Sequence, residues 1–243
     1  MVPAGGMRGH ALRDAGGPVA LRDGSFLLVE IRAGTVARVA ADGTLARLGR
    51  PNGAPNGAAI GPDGALYVCN NGGFAWSELG ELTIPMSIED GTNGPPDFGG
   101  GWIERVDPVS GAAAVVYREC AGETFCGPND LVFDRDGGFW FTDFGKTWRR
   151  TVDRGGLYYA AADGSAVRCV AYGLHGPNGV GLSPEGDRVY VAETYTGRLL
   201  AWDLEAPGRV RDDGFGSRGR VIVATPAHFD SLAVEEDGTV VVA

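Results

Sequence analysis

Four side chains that carry an amide or carboxylate oxygen recur at one position of a repeated phrase in the sequence. Each stands eight residues before the glycine of an acidic-Gly turn, and the four are Asn56, Asn129, Asn178 and Asp230. The phrase occurs a fifth time with a glycine, Gly16, at this position. Amide and carboxylate oxygens are hard ligands that suit Ca²⁺ or Mg²⁺ and also serve Mn²⁺ or Zn²⁺. If the repeats surround one axis, the spacing predicts a cation site built from several repeats.

A local explanation competes with this site, because Asn and Asp before a strand often close an Asx-turn. For any one residue the turn is the better explanation, but the common phase of Asn129, Asn178 and Asp230 favours the site. Asn56 is the weaker candidate, since it lies in PNGAPNG, a sequence typical of consecutive turns. Asp130 is predicted to support a turn or the site rather than to bind the cation.

The elements that must position these residues are short antiparallel strands. In each repeat a short apolar run, the acidic-Gly turn and a β-branched or aromatic run give the signature of a β-hairpin. A second hairpin usually follows, as in GTVARVAADGTLARL and GLYYAAADGSAVRCV. Four strands per repeat predict an all-β fold, a β-propeller of four-stranded antiparallel blades. A β-sandwich remains an alternative, but it would not explain a polar residue that recurs in phase.

We expect a single β-propeller domain over residues 1–243, with a loop inserted in the second blade at about residues 72–101. The inserted segment is rich in Gly and Pro and lacks strand alternation, so it could cover one end of the propeller as a lid or form a surface excursion. The fifth repeat reaches Ala243 in the middle of a blade. About five blades are therefore expected, in a propeller that is truncated at its C-terminus.

The charge and hydropathy of the chain exclude several classes of partner. The formal net charge of −10 argues against a nucleic-acid partner. No apolar run approaches the ~20 residues that a membrane helix needs, and the N-terminal region lacks the apolar core of a signal peptide. We expect a cytoplasmic protein with no nucleic-acid or membrane partner and no obligate protein partner. Cys69 and Cys169 lie in strand-like runs and are expected in the core.

Three phrases of the chain resemble the gluconolactonase and regucalcin (senescence marker protein) family. They are GPNDLVFDRDGGFWFTDFGK, GPNGVGLSPEGDRVYVAETYTGRL and FDSLAVEEDGTVVVA. The resemblance implies a six-bladed β-propeller and a metal-dependent lactonase. It places metal ligands at Asn178 and Asp230, makes Asn129 a metal ligand or a substrate contact, and makes Asp230 the catalytic base. It also implies one divalent cation, with Ca²⁺ expected first and Zn²⁺, Mn²⁺ or Mg²⁺ as alternatives.

One position departs from the family pattern. The family carries a metal-binding Glu two residues before the Pro-Val of its first blade, whereas this chain has GGPV and therefore Gly16. Because ligand charge tunes cation affinity, loss of this carboxylate should weaken cation binding. Asp14 is close in sequence, but two residues of extended chain span roughly 6.6 Å. Asp14 therefore cannot be assumed to substitute.

The function predicted from these residues is metal-dependent hydrolysis of a small-molecule lactone, with Asp230 as base and metal ligand. One alternative is a non-catalytic propeller that binds a sugar or a partner, its catalysis impaired by Gly16. Another is an enzyme of the strictosidine synthase-like or paraoxonase-like propellers. Further side chains near the same end of the fold could line the pocket or assist proton transfer, namely Trp148, His175, Tyr195 and His228. Packing or a loop role is the favoured interpretation for each of these four.

Overall fold

The computed structural model describes residues 15–49, 51–212 and 219–243. These residues form 23 β-strands and no helix, which confirms the all-β prediction. The described part of the chain accordingly contains no helix that is long and apolar enough to cross a membrane.

The first two sheets are antiparallel and four-stranded. The first contains β1 (Ala15–Ala20), β2 (Phe26–Glu30), β3 (Thr35–Val39) and β4 (Leu45–Gly49). The second begins with β5 (Pro55–Ile60) and β6 (Leu66–Asn70), is interrupted by a hairpin of β7 (Ser77–Leu79) and β8 (Leu82–Ile84), and ends with β9 (Trp102–Val106) and β10 (Ala113–Tyr117). A small hairpin of β11 (Glu119–Cys120) and β12 (Glu123–Thr124) follows.

The later sheets repeat this plan. The third contains β13 (Pro128–Phe133), β14 (Gly138–Asp143), β15 (Gly155–Ala161) and β16 (Val167–Leu174). The fourth contains β17 (Pro177–Leu182), β18 (Arg188–Glu193), β19 (Arg198–Ala206), β20 (Arg209–Val210) and β21 (Arg220–Ala224), with both β20 and β21 paired to β19. The last hairpin is formed by β22 (Leu232–Val234) and β23 (Val240–Val242).

In three of the five units the Asp of the acidic-Gly turn accepts the backbone N–H two residues further on, at Asp23, Asp63 and Asp237. The Asp63 carboxylate accepts the backbone N–H of Ala65 at 3.1 Å, and Asp23 accepts that of Ser25 at 3.0 Å. Gly64 has a φ of 78°, in the left-handed region that a side chain disfavours. These turns set the register of each hairpin, and the register sets which residues share a position.

The register gives the repeated polar residues one structural position. Four equivalent pairs join the first and second strands of the four sheets, namely Ala15–Glu30, Pro55–Asn70, Pro128–Asp143 and Pro177–Glu193. The residue that follows the first member of each pair is therefore equivalent in all four sheets. These residues are Gly16, Asn56, Asn129 and Asn178.

Consecutive sheets pack face to face around their first strands. The first strands contact one another in the order β1, β5, β13, β17 and β22. Apolar side chains fill the space between neighbouring sheets, such as Leu66 with Val29 between the first two and Trp140 with Val191 between the third and fourth. Because burial of apolar area is worth roughly 25 cal/mol per Å², these contacts hold the first strands, and the polar residues at their beginnings, in fixed relative positions.

Two predictions about local structure can be compared with the observed strands. The segment at residues 72–101, predicted as an inserted loop, lies between β6 and β9 of the second sheet and includes the β7–β8 hairpin. Arg32 ties this hairpin to the first sheet through an ion pair with Glu78 at 2.6 Å. The prediction that Cys169 lies in the core is wrong, because it lies on the edge strand β16 and is exposed, whereas Cys69 on β6 is buried.

Candidate functional site

A cavity of about 370 Å³ opens where the first strands begin. Its lining includes the four oxygen-bearing residues of the repeated phrase, which we call the entry residues: Asn56, Asn129, Asn178 and Asp230. They come from β5, β13, β17 and the residues just before β22. A hollow of about 380 Å³ at the opposite ends of β13 and β17 is lined by turn residues such as Asp134 and Asp187 and by none of the entry residues. The cavity at the entry residues is therefore the candidate site.

The entry residues present oxygens that the described part of the chain leaves without hydrogen-bond donors. The amide nitrogen of Asn178 donates to Thr194 Oγ1 at 3.2 Å, so its Oδ1 remains as the free acceptor. Thr194 in turn donates to the carbonyl of Phe229, which precedes Asp230, at 2.5 Å. This chain of contacts sets Asn178 and Asp230 relative to each other. Oxygens without donors in a shared cavity are available to a cation or to a substrate.

The donor set fits a hard cation but carries little charge. No group of three or more His, Cys, Asp or Glu side chains in the described residues could hold a metal ion. A cation at the entry residues would therefore be bound by amide oxygens and by the single carboxylate of Asp230. Such ligands suit Ca²⁺ or Mg²⁺ better than Zn²⁺. The low ligand charge predicts weak binding.

Gly16 marks where a further carboxylate would enter this cluster. A Cβ at Gly16 would lie 3.6 Å from Asn56 Oδ1 and 3.3 Å from the Asn56 carbonyl oxygen. A longer side chain at this position would therefore start beside an entry residue. Asp14, the nearby carboxylate considered above, lies outside the described residues.

Asp130 serves the backbone rather than the cavity. Its carboxylate accepts the N–H of Leu131 at 2.9 Å and that of Val180, in the next sheet, at 3.1 Å. Burial raises the pKa of Asp130 to about 6, the two backbone N–H groups oppose this rise, and the charge of Asp230 adds to it. Asp130 therefore links two neighbouring first strands, in keeping with the supporting role expected for it.

A second set of four polar residues was absent from the sequence prediction, and three of them, Asn70, Asp143 and Glu193, accept N–H groups of the loops that lead to the entry residues. These strand-end residues close the second strand of each sheet and are buried: Glu30, Asn70, Asp143 and Glu193. Asp143 accepts the N–H groups of Cys126, Gly127 and Gly145 at 2.8, 2.6 and 3.1 Å, and burial raises the pKa of its carboxyl group. The signal was present in the sequence, because each follows its phased position by 14 or 15 residues.

Asn71 and Lys146 also line the cavity, and sequence reasoning gave neither a role. Lys146 is the single lysine of the sequence and is only 1% exposed. Its Nζ donates to the Gly73 carbonyl at 2.6 Å and to Asn71 Oδ1 at 3.3 Å, and lies 4.2 Å from the ring centre of Phe74. Burial lowers the pKa of Lys146 to about 7, although the charge of Asp143 opposes this shift. Because Lys146 is the single lysine in a chain rich in arginine, the sequence alone could have marked it as a residue with a specific role.

The inserted segment forms the apolar wall of the cavity. It contributes Phe74, Trp76, Pro85 and Met86. The guanidinium of Arg32 lies 5.7 Å from the ring centre of Trp76, and together with its ion pair to Glu78 it holds this wall against the first sheet. The segment therefore lies beside the candidate site.

The four remaining sequence candidates divide between the cavity and its surroundings. Tyr195 lines the cavity, and its hydroxyl lies 3.0 Å from Thr147 Oγ1. Trp148 lines a neighbouring hollow and donates from its ring nitrogen to Asp153 at 3.2 Å. His175 contacts Arg154, and His228 contacts the carbonyl of Thr194 at 3.2 Å. Neither histidine is among the residues that line the cavity.

Comparison with known proteins agrees with this architecture. Residues 15–243 match the model of the family described as SMP-30/Gluconolactonase/LRE-like region. The chain is 32% identical over 189 residues to lactonase drp35 of Staphylococcus saprophyticus, an alignment that covers 77% of the chain and 50% of that lactonase. The chain thus spans about half the length of this relative.

Solved structures show the same fold. A gluconolactonase from Xanthomonas campestris superposes with a TM-score of 0.70 at 22% identity, over 94% of this chain and 69% of the other. A calcium-binding protein, regucalcin, from Agrobacterium tumefaciens superposes with a TM-score of 0.63 at 16% identity, over 94% of this chain and 66% of the other. The sheets described above are those of a β-propeller.

Proposed function

The chain belongs to the SMP-30/gluconolactonase/LRE-like family, and from this premise we propose that it hydrolyses the ester bond of a small-molecule lactone. The observation that carries the proposal is the meeting of four entry residues, one of them a carboxylate, at a single cavity. The cavity has the size of a small-molecule site. The lactonases and gluconolactonases among its relatives support the reaction class.

Asp230 is the proposed general base. Its carboxylate accepts a proton from water as the water oxygen attacks the lactone carbonyl carbon. Collapse of the tetrahedral intermediate breaks the bond to the ring oxygen, which takes the proton from Asp230 and leaves as a hydroxyl group. The product is a hydroxy acid. Asn129 contacts the substrate, and the neutral amides of Asn129 and Asn178 orient groups in the cavity without adding charge.

One divalent cation is the proposed cofactor, held by Asn129, Asn178 and Asp230. When bound, it would polarise the lactone carbonyl and favour ionisation of water. Ca²⁺ is the first candidate, because the oxygen donors are hard ligands and because a structural relative is a calcium-binding protein.

A second candidate function is non-catalytic binding of a sugar or a similar small molecule. Gly16 favours it, because the first sheet supplies no carboxylate next to Asn56. A cavity with a single carboxylate would bind a cation weakly and could still hold a ligand through its amides.

The test is hydrolysis of a panel of small lactones by the full chain, with chelator and then with added Ca²⁺, Mn²⁺ or Zn²⁺. We expect activity that chelator removes and that one of the cations restores. The Asp136→Asn variant controls for loss of a carboxylate away from the candidate site, since this exposed side chain lies in the turn at the other end of β13. Binding of lactone without turnover under every condition would favour the non-catalytic function.

A further inference from the structure

Asn71 carries a buried hydrogen-bond donor that no group in the described residues satisfies. The residue follows β6 directly, is 2% exposed and lines the candidate site. Its Nδ2 has no hydrogen-bond partner. Buried polar groups in native proteins are nearly always paired, so an unpaired one requires an explanation.

The orientation of this amide is set by two donors on its other side. Asn71 Oδ1 accepts the N–H of Gly73 at 3.1 Å and the Nζ–H of Lys146 at 3.3 Å. An amide flipped by 180° would place its NH₂ group against both donors, so the flipped arrangement is disfavoured. Nδ2 is therefore held on the side away from Gly73 and Lys146.

Lys146 is itself held firmly, so it can hold the amide. Its Nζ also donates to the Gly73 carbonyl at 2.6 Å and lies 4.2 and 5.3 Å from the ring centres of Phe74 and Phe98. Because Asn71 and Lys146 are 75 residues apart in sequence, this contact joins the end of β6 to the segment after β14.

The neighbouring residue provides an internal contrast. Asn70 uses both ends of its amide: Oδ1 accepts the N–H of Ala54 at 3.0 Å and Nδ2 donates to Glu104 at 2.9 Å. Two consecutive asparagines are thus both buried, but only Asn71 retains a free donor within the described part of the chain. The free donor is the one that belongs to a cavity-lining residue.

We propose that Asn71 Nδ2 is a substrate-binding donor that hydrogen-bonds the carbonyl oxygen of the bound lactone, with Lys146 as the residue that positions it. This inference rests on the proposed function. When water adds to the carbonyl carbon, the electron pair of the C=O bond moves to this oxygen, and a preoriented donor stabilises the negative charge. Asp230 takes the proton of the attacking water, as described above, so Asn71 exchanges no proton.

Two substitutions separate the donor from the structural role of the side chain. Asn71→Asp keeps an oxygen for Gly73 and Lys146 and removes the donor, whereas Asn71→Leu removes the donor without adding charge. We expect both to lower kcat by roughly 10²- to 10³-fold, the range for loss of one such donor, with a smaller change in KM. Glu89→Gln, an exposed substitution in the inserted segment, should leave activity unchanged.

Lys146→Met tests the positioning role. The Gly73 N–H still holds Asn71 Oδ1 in this variant, so we expect a smaller loss in kcat than in Asn71→Leu. The side-chain NH₂ resonances of Asn71 in ¹⁵N NMR spectra should broaden as the amide gains freedom. Unchanged resonances together with unchanged kcat would remove Lys146 from this role.

A ligand that cannot be hydrolysed distinguishes this inference from the proposed function. δ-Valerolactam presents a cyclic carbonyl oxygen, and its addition should shift the Asn71 side-chain NH₂ resonances and bind more weakly to Asn71→Leu. That result with no lactone hydrolysis by the parent chain would overturn the proposed function and support the donor. Lactone hydrolysis by the parent chain that both Asn71 variants retain would overturn the donor alone.

Discussion

The entry residues lie at the start of the first strands and the strand-end residues at the end of the second strands. Both sets consist of amides and carboxylates, but they differ in whether their oxygens accept hydrogen bonds from the protein. The four strand-end residues are buried and accept hydrogen bonds. Asn70, Asp143 and Glu193 accept loop N–H groups, whereas Glu30 accepts from the side chains of Thr35 and Arg47. The entry residues meet at a cavity, and the Asp230 carboxylate accepts no hydrogen bond from another described residue. An unpaired buried polar group is costly. Carboxylates and amides whose hydrogen bonds are made within the protein therefore have a structural role, whereas those left without donors in a shared cavity indicate a binding site.

Removing the only charged entry residue should break the function and leave the scaffold unchanged. We expect Asp230→Asn to lower lactone hydrolysis by roughly 10²- to 10⁴-fold, the usual worth of a general base. The thermal midpoint should stay near that of the parent, because the Asp230 side chain makes no hydrogen bond within the described residues. Steady-state kinetics and calorimetry on both proteins test this. An Asp230→Asn enzyme with nearly parental activity would remove Asp230 as the base.

Removing a strand-end residue should have the converse effect. Asp143→Ala leaves the N–H groups of Cys126, Gly127 and Gly145 without their acceptor. We expect a loss of about 3 kcal/mol in the free energy of unfolding, since hydrogen bonds to a charged group are worth about 1.5–3 kcal/mol each and are not additive. Asn129→Ala, the matched entry substitution in the same sheet, should change stability by less than about 0.5 kcal/mol. Urea titrations measure both, and equal losses would abolish the distinction.

The sequence predicted the entry residues better than it predicted their surroundings, for a physical reason. The register of a hairpin repeats with its turn, so a residue at a constant distance from each acidic-Gly turn keeps its place in every sheet, as Asn129 and Asn178 do. The strand-end position tolerates Glu, Asn or Asp because each can accept loop N–H groups, and this variation hid the pattern. The contact between Asn71 and Lys146 joins two sheets, and no local spacing contains it.

Lys146 lines the cavity of the entry residues, and the strand-end residue Asp143 influences its pKa. The protonation of Lys146 should therefore make the free energy of unfolding depend on pH. Its pKa in the folded protein is about 7, below the ordinary 10.5, because burial disfavours the ammonium. Between these values the unfolded chain holds a proton that the folded chain has lost, so this group's contribution to stability increases with pH by up to about 1.4 kcal/mol per unit. The stability of the parent relative to Lys146→Met should therefore increase from pH 7 to pH 9. The facing groups are Asp143, Cys126 and Asp153.

The single lysine makes a direct measurement available for the same prediction. Labelling with [ε-¹³C]lysine gives one side-chain resonance, because Lys146 is the only lysine. We expect its titration midpoint near pH 7. A midpoint near 10.5, with a stability difference between parent and variant that does not change with pH, would contradict the burial of Lys146 Nζ against Asn71.

A carboxylate placed at position 16 of the first sheet should increase the affinity of the entry residues for a cation. Gly16 has the register position of Asn56, Asn129 and Asn178, and its φ is not in the left-handed region, so the backbone accepts a side chain. The new Cβ would lie 3.3 Å from the Asn56 carbonyl oxygen, which requires a shift of a few tenths of an ångström.

Because ligand charge tunes affinity, we expect Gly16→Glu to tighten Ca²⁺ binding about tenfold, or about 1.4 kcal/mol. Calorimetric titration of the full chain measures this, with Gly16→Gln as the uncharged control of equal length. If Gly16→Glu and Gly16→Gln bind Ca²⁺ equally, position 16 contributes no charge to the site, and the first sheet does not take part in cation binding.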